Sequence, residues 1–174
     1  MRIIAGKHRG RILSAIRGGE IRPTPDRVKE SLFQILSERI AGARVLDLFA
    51  GSGALGLECL SRGAGEVVFN DCSRDSLAVL EKNLRLTKER ARVVCLDFRS
   101  CLKGEEGKFD LIFCDPPYRE EFLGEILSLV KEQNLLRENG LVIYESERNE
   151  VGADGWTRAD FRKYGRTAVS IWKL

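Results

Sequence analysis

From residue 44 onward the chain alternates short apolar runs with stretches whose apolar residues recur every three to four positions. The runs at 44–48, 67–70, 92–96, 111–114 and 141–145 predict buried strands. The spacing predicts helices over 53–62, over 74–86 with Leu77, Leu80 and Leu84 on one face, and near 121–132. Glu138-Asn139-Gly140 reads as a turn before the last of these strands. Such a succession of strand and helix implies a parallel sheet covered on both faces. The ending differs: 157–163 and 167–173 read as two strands around Tyr164-Gly165, an antiparallel hairpin closing the sheet.

The first forty residues also depart from the alternation. Ile3-Ile4 and Ile12-Leu13 flank Gly6 and Gly10 and predict a short hairpin. Thr24-Pro25-Asp26 then opens a helix to about residue 39, with Thr24 as cap, Pro25 in the first turn and Asp26 at the positive dipole end. Val28, Leu32, Ile35 and Leu36 are its expected buried side. At 174 residues the chain suits one domain, with an N-terminal hairpin and helix at 1–40 and a core at 41–174.

Composition narrows the class. With 43% hydrophobic and 32% charged residues the chain reads as globular and not disordered. No apolar run is long enough for a bilayer, and the early charges of Arg2, Lys7 and Arg9 do not suit a signal peptide, so a cytoplasmic location is expected. The five cysteines, Cys59, Cys72, Cys95, Cys101 and Cys114, contain no C-x-x-C pair; they read as reduced core thiols, and no metal site is expected. Net charge is +3, yet residues 1–30 carry +5 by themselves, including Lys7, Arg9, Arg11 and Arg27. A basic arm on a nearly neutral body points to a polyanion, and nucleic acid is the favoured one.

The chemistry is concentrated at strand ends. Gly51-Ser52-Gly53-Ala54-Leu55-Gly56 is a Gly-rich turn between a strand and a helix, and by itself it suits a dinucleotide as well as other nucleoside ligands. Asp47 precedes the glycines, where a carboxylate can reach a ligand ammonium but would repel a pyrophosphate. Asp71 ends the next strand, placed for a ribose diol, and Asp97-Phe98 follows the third, offering a carboxylate and a ring to an adenine. These features favour S-adenosyl-L-methionine. Alone, Asp97 reads more commonly as a helix N-cap; in company with Asp47 and Asp71, each just past a successive strand, the ligand reading is the better one. The fourth strand ends in Asp115-Pro116-Pro117-Tyr118. Prolines there leave rigid carbonyls and no N–H groups. The Asp115 carboxylate and Pro116 carbonyl can accept both protons of an exocyclic amine, turning its lone pair toward a methyl donor, while Tyr118 offers a stacking face. The expected reaction is direct methyl transfer to a base amine, with the base flipped or already unpaired.

Four blocks carry a resemblance: 2–10, 22–33 (Arg22-Pro23-Thr24 followed by Asp26-Arg27-Val28-Lys29-Glu30), Leu46-Asp47-Leu48-Phe49-Ala50-Gly51-Ser52-Gly53, and Phe109 to Tyr118. Together they resemble the RsmD family, which methylates the N2 amine of a guanine in 16S ribosomal RNA. The resemblance implies a Rossmann-like class I S-adenosylmethionine-dependent α/β fold, with a seven-stranded mostly parallel sheet and an antiparallel C-terminal hairpin. It implies cofactor contacts from Phe49 and from the Arg22 and Thr24 loop, RNA contact by the hairpin, and an assembled or partly assembled small ribosomal subunit as partner. Asp71 stands where relatives more often carry Glu, and His8 is expected to be an arm contact. A monomer is the plain expectation. Rival readings are an N6-adenine methyltransferase, a nicotinamide oxidoreductase and a non-catalytic RNA-binding protein.

Overall fold

The computed structural model describes residues 1–16, 26–117, 121–147 and 152–174. Its strands are β1 (Arg44–Asp47), β2 (Glu66–Asn70), β3 (Arg92–Val94), β4 (Phe109–Cys114), β5 (Leu136–Ser146), β6 (Thr157–Tyr164) and β7 (Thr167–Lys173). They form one sheet in the order β3-β2-β1-β4-β5-β7-β6. The first five strands pair in parallel, whereas β7 runs antiparallel to both β5 and β6. The helices are α1 (Asp26–Ile35), α2 (Ala54–Ser61), α3 (Arg74–Thr87), α4 (Phe98–Gly104) and α5 (Leu123–Glu132).

Alternating strand residues send apolar side chains to two separate cores. Val45, Val67, Phe69, Leu111 and Phe113 face α1, α2 and α3, while Leu46, Val68, Ile112 and Cys114 face α4 and α5. Phe33 of α1 stacks on Phe113 at 5.8 Å between centroids, which fastens the N-terminal helix to the middle of the sheet.

Several expectations need correction. Helix α4 has no counterpart in the periodicity reading, because seven residues carry too few apolar repeats to register. Glu138-Asn139-Gly140 is not a turn but part of β5. There, four residues lie between the partners of Phe109 and Leu111, and Asn139 adopts φ 64 to accommodate the bulge. Ile35 is exposed, and Lys29 and Phe33 take buried places on α1 instead. Only three cysteines lie in the cores; Cys72 and Cys95 sit exposed on the loops after β2 and β3. The expected cap by Thr24 and Pro25 lies outside the described residues.

The N-terminal hairpin is present. Arg2 bridges Ile12, and Ile3 and Leu13 donate to the Arg11 and Met1 carbonyls at 3.0 and 3.1 Å. It is no free arm, for it is bolted to α2 through Glu58. This carboxylate, with no solvent exposure, accepts from the Ile4 and Ala5 amides at 2.8 and 3.0 Å and from Arg62 Nε at 2.8 Å. Lys29 Nζ lies 3.5 Å from it and also donates to the Arg2 carbonyl. Burial pulls the Lys29 pKa down, and the Glu58 charge opposes that. Gly6, at φ 80, closes the contact: a Cβ there would stand 1.8 Å from the Ser61 carbonyl oxygen.

A buried charge that loses its partners is expensive, so Glu58→Ala is expected to cost about 3–5 kcal/mol, leaving Lys29 uncompensated and two amides unpaired. Thermal unfolding measures the loss. Trypsin should then cut within residues 7–11 before the rest of the chain. A variant that melts with the parent and keeps its arm protected contradicts this account of the docking.

Candidate active site

The sheet order reverses between β1 and β4, and an open parallel sheet offers its ligand crevice beyond the strand ends at such a switch. Asp47 pairs in register with Phe113, and the Leu48 amide donates to the Phe113 carbonyl at 2.9 Å. The Gly-rich turn after β1 and the Asp115-Pro116-Pro117 segment after β4 therefore leave the sheet side by side.

Asp47 is 1% exposed and lies beneath the turn. The Gly56 amide, in the first turn of α2, donates to its Oδ2 at 2.9 Å. This is the helix end that a dinucleotide fold reserves for pyrophosphate, and here a protein carboxylate already occupies it. Burial pushes the Asp47 carboxyl up to about 7; the Gly56 hydrogen bond opposes this, and the charge of Asp71 adds to it.

The three glycines have distinct jobs. A Cβ on Gly53 would lie 2.3 Å from Leu80 Cδ1, and one on Gly56 would lie 2.2 Å from Phe69 Cε1, so both are needed to seat the turn on α3 and β2. Gly51, at φ 55, meets only Ile16 Cδ1 at 3.9 Å and is the glycine open to a ligand. Asp71 shapes it, with Oδ2 accepting from the Gly51 amide and Oδ1 from the Ser73 amide, each at 2.8 Å. Each oxygen keeps further acceptor capacity.

Asp97 is exposed and caps α4, its Oδ1 accepting from the Arg99 amide at 3.0 Å. Phe98 is 4% exposed and packs with Phe49 and Phe122, the ring centroids 4.7–6.3 Å apart. Arg99 covers Phe98 at 4.4 Å and is fixed by Glu125 through two bonds of 2.6 and 2.7 Å. These rings come from the loops after β1, β3 and β4 and form a wall on the α4–α5 side of the crevice. Asp115 is half-buried, Pro116 is buried and Pro117 exposed. Tyr118, Arg22 and Thr24 lie outside the described residues.

Two of the basic candidates are engaged on or just past α3. Lys7 pairs with Glu89 at 2.8 Å, and Arg11 Nη1 donates to the Leu86 carbonyl at 2.6 Å, so both brace the hairpin on α3. His8 Nε2 joins the same Glu89 at 2.6 Å. Arg9 and Arg27 are exposed.

Two organising residues escape a reading of motifs. Asn70, buried at the end of β2, donates to the Leu48 carbonyl at 3.0 Å and accepts from the Leu96 amide at 3.2 Å, tying the exits of three strands together. Asn83 donates to the Ser14 and Ser52 carbonyls at 3.0 and 2.9 Å and accepts from the Ser14 amide at 2.8 Å, which joins the hairpin to the Gly-rich turn. The signal for Asn83 was its place on the apolar stripe of α3, where an amide needs a specific partner.

The model of the family described as "Conserved hypothetical protein 95" matches residues 1–173. The chain belongs to this family. It is 39% identical to "Ribosomal RNA small subunit methyltransferase D" of Haemophilus influenzae, over 99% of this chain and 93% of the relative. The protein of that name from Escherichia coli (strain K12) is 41% identical over 84% of this chain and 75% of its own. The solved structure of yhhF from Escherichia coli superimposes with a TM-score of 0.88 at 38% identity, covering 99% and 96% of the two chains. The family's Rossmann-like α/β fold, seven strands with a reversed β7, is thus the one expected from the resemblance.

The raised pKa of Asp47 has a consequence for stability. A carboxyl whose folded-state pKa exceeds its unfolded value favours folding while protonated, and the benefit disappears as pH rises through the folded pKa. Between about pH 4, the ordinary aspartate range, and about pH 7 the ligand-free protein is expected to lose melting temperature, and the decline levels off above 7. Asp47→Asn, which keeps an acceptor for Gly56, should flatten that decline; an identical pH profile in the variant would show that another group is responsible.

Proposed function

We propose that this chain transfers a methyl group from S-adenosyl-L-methionine to the exocyclic N2 amine of one guanine in 16S ribosomal RNA. The relatives named ribosomal RNA small subunit methyltransferase D, covering most of the chain, support the reaction and the RNA. One observation carries the cofactor: the Asp47 carboxylate sits at the α2 N-terminus with Asp71 close by. That arrangement repels a pyrophosphate and attracts a cation, which disfavours a nicotinamide oxidoreductase. S-adenosylmethionine carries its ammonium and sulfonium without any phosphate, and supplies the methyl group from the sulfonium.

In this reading Asp47 faces the ammonium end through the turn it supports, and Phe49 flanks the ligand as it leaves β1. Gly51 and Gly53 shape the turn, Asp71 takes the ribose diol, and Asp97 with Phe98 marks the adenine end. The resemblance brings the Arg22 and Thr24 loop toward the cofactor. Across the switch point, the Asp115 carboxylate and Pro116 carbonyl accept the two N–H bonds of the guanine amine, Pro117 holds the backbone rigid, and Tyr118 stacks on the base. As the new C–N bond forms the nitrogen sheds one proton, and Asp115 is the nearest base in this arrangement. Lys7, Arg9, Arg11 and Arg27 belong to the RNA-facing side. The partner is a small ribosomal subunit, assembled or partly so; the enzyme acts as a monomer in the cytoplasm, and among the described residues no helix is long and apolar enough to cross a membrane.

The test is tritium transfer from labelled cofactor to small subunits lacking the modification, followed by mapping of the labelled nucleotide. Asp115→Ala should lower transfer by about 10²–10⁴-fold while S-adenosylhomocysteine still binds. Asp115→Asn, which can still orient the amine, should retain more activity than Ala. Full activity in the Ala variant, or label found on adenine or on duplex DNA instead, would refute the assignment.

A further inference from the structure

The hairpin tip and the far end of α3 form a second charged zone that the crevice does not use. Residues 82–92 contain Lys82, Arg85, Lys88, Arg90 and Arg92 against one acid, Glu89. That acid is consumed internally by Lys7 at 2.8 Å and His8 at 2.6 Å. The same contacts hold the hairpin tip, where Arg9 follows His8, at the Glu89 that Lys88 and Arg90 flank in the chain. Lys82, Lys88 and Arg90 are exposed, and among the described residues no carboxylate pairs with them or with Arg9. Cations in the last turn of a helix ordinarily complement its dipole, and this explains Arg85. It does not explain Arg9, which comes from another element, or Arg90, which lies past the helix.

Lys88 adds an independent sign. It forms the C-cap of α3 in the left-handed region, at φ 56, where glycine or asparagine is the usual occupant. A lysine there bears a steric cost; its amide donates to the Arg85 carbonyl at 3.2 Å, but among the described residues its side chain makes no hydrogen bond or ion pair, which suits a side chain kept for something outside the chain.

Most of the zone is also set back from the Gly-rich turn; Lys82 is its nearest member, adjoining Asn83, which donates to the Ser52 carbonyl of that turn at 2.9 Å. α2 has eight residues, so about 12 Å of helix separates the Gly-rich turn from Ser61, against which the hairpin tip is pinned. We propose that Arg9, Lys82, Lys88 and Arg90 form a remote clamp for the phosphodiester backbone of the substrate RNA, so that the enzyme holds a folded RNA at two points. This rests on the RNA-methylating reading above. The crevice engages the base, and the clamp engages phosphates of a neighbouring part of the same RNA fold. Neutral, rigid hydrogen-bonding surfaces would suit a protein partner better; exposed, unpaired cations on two elements suit phosphates.

The experiment compares the parent chain with Lys82→Glu/Lys88→Glu/Arg90→Glu in binding to, and methyl transfer into, small subunits lacking the modification. Binding of S-adenosylhomocysteine serves as the folding control. The triple variant should raise KM for subunits by about tenfold or more, and flatten the slope of log affinity against log salt by about 2. A charge reversal of four units on the other side of the sheet, Lys103→Glu in α4 with Lys108→Glu in the loop before β4, should do neither. Lys88→Gly relieves the backbone at the cap, so it should melt no lower than the parent and yet bind subunits more weakly. A triple variant with the parent's KM and salt slope overturns the clamp, as does an equal effect from the control pair or unchanged affinity in Lys88→Gly. If the parent itself neither binds nor methylates subunits, it is the proposed function that fails.

Discussion

A crevice exists in this molecule because strand order reverses between β1 and β4. The loops leaving these two strands diverge toward opposite faces, α2 lying on one and α5 on the other, and the gap between them is open at the C-terminal edge. Everything chemical depends on that gap. Asp47 closes its floor by accepting from Gly56, and Asp71 sets the Gly51 turn from the neighbouring strand. Asn70 then holds the exits of β1 and β3 to β2. A helix N-terminus whose Gly56 amide is taken by a carboxylate no longer offers that donor to an anion.

The N-terminal segment is built into the body to the same standard. Its amides are satisfied by a buried glutamate, and its path toward the Gly-rich turn is fixed by Asn83. Buried polar groups of this kind are costly unless fully paired, and full pairing specifies one docking geometry. The hairpin therefore links two places: through Ser14 and Ile16 it touches the turn under the cofactor site, and through Lys7, His8 and Arg11 it shapes the distant basic end of α3. The Gly-rich turn and the basic end of α3 share one rigid element.

Much of this was legible beforehand, for reasons that can be named. Buried strands of a parallel sheet are continuous apolar runs, and α3 is long enough to show its stripe, so the sheet, most helices and the antiparallel ending could be read from pattern. Asp47, Asp71 and Asp115 stood out because carboxylates just past apolar runs are conspicuous. Helix α4 was hidden by its brevity, and the β5 bulge by Asn139-Gly140, whose residue types serve a turn and a left-handed bulge equally well. Cys72 and Cys95 looked internal because they adjoin apolar runs, but each lies just beyond the end of its strand.

Residue order alone determined the alternation of elements, the Asp-Pro-Pro-Tyr tetrapeptide at 115–118, the Gly-rich turn and the basic bias of the first thirty residues, because each is a local property of composition and period. Tertiary structure decided what those features do to one another. It assigned Gly53 and Gly56 to packing and Gly51 to the open side of the turn. It joined the basic arm to α3, through a Glu89 that no motif contains. It also placed Asp47 under the turn, where burial shifts its proton equilibrium toward neutrality. Proximity between distant segments and exclusion of water are not written in any short stretch of chain; they arise only when the sheet is assembled, and they set the charge and the shape of the site.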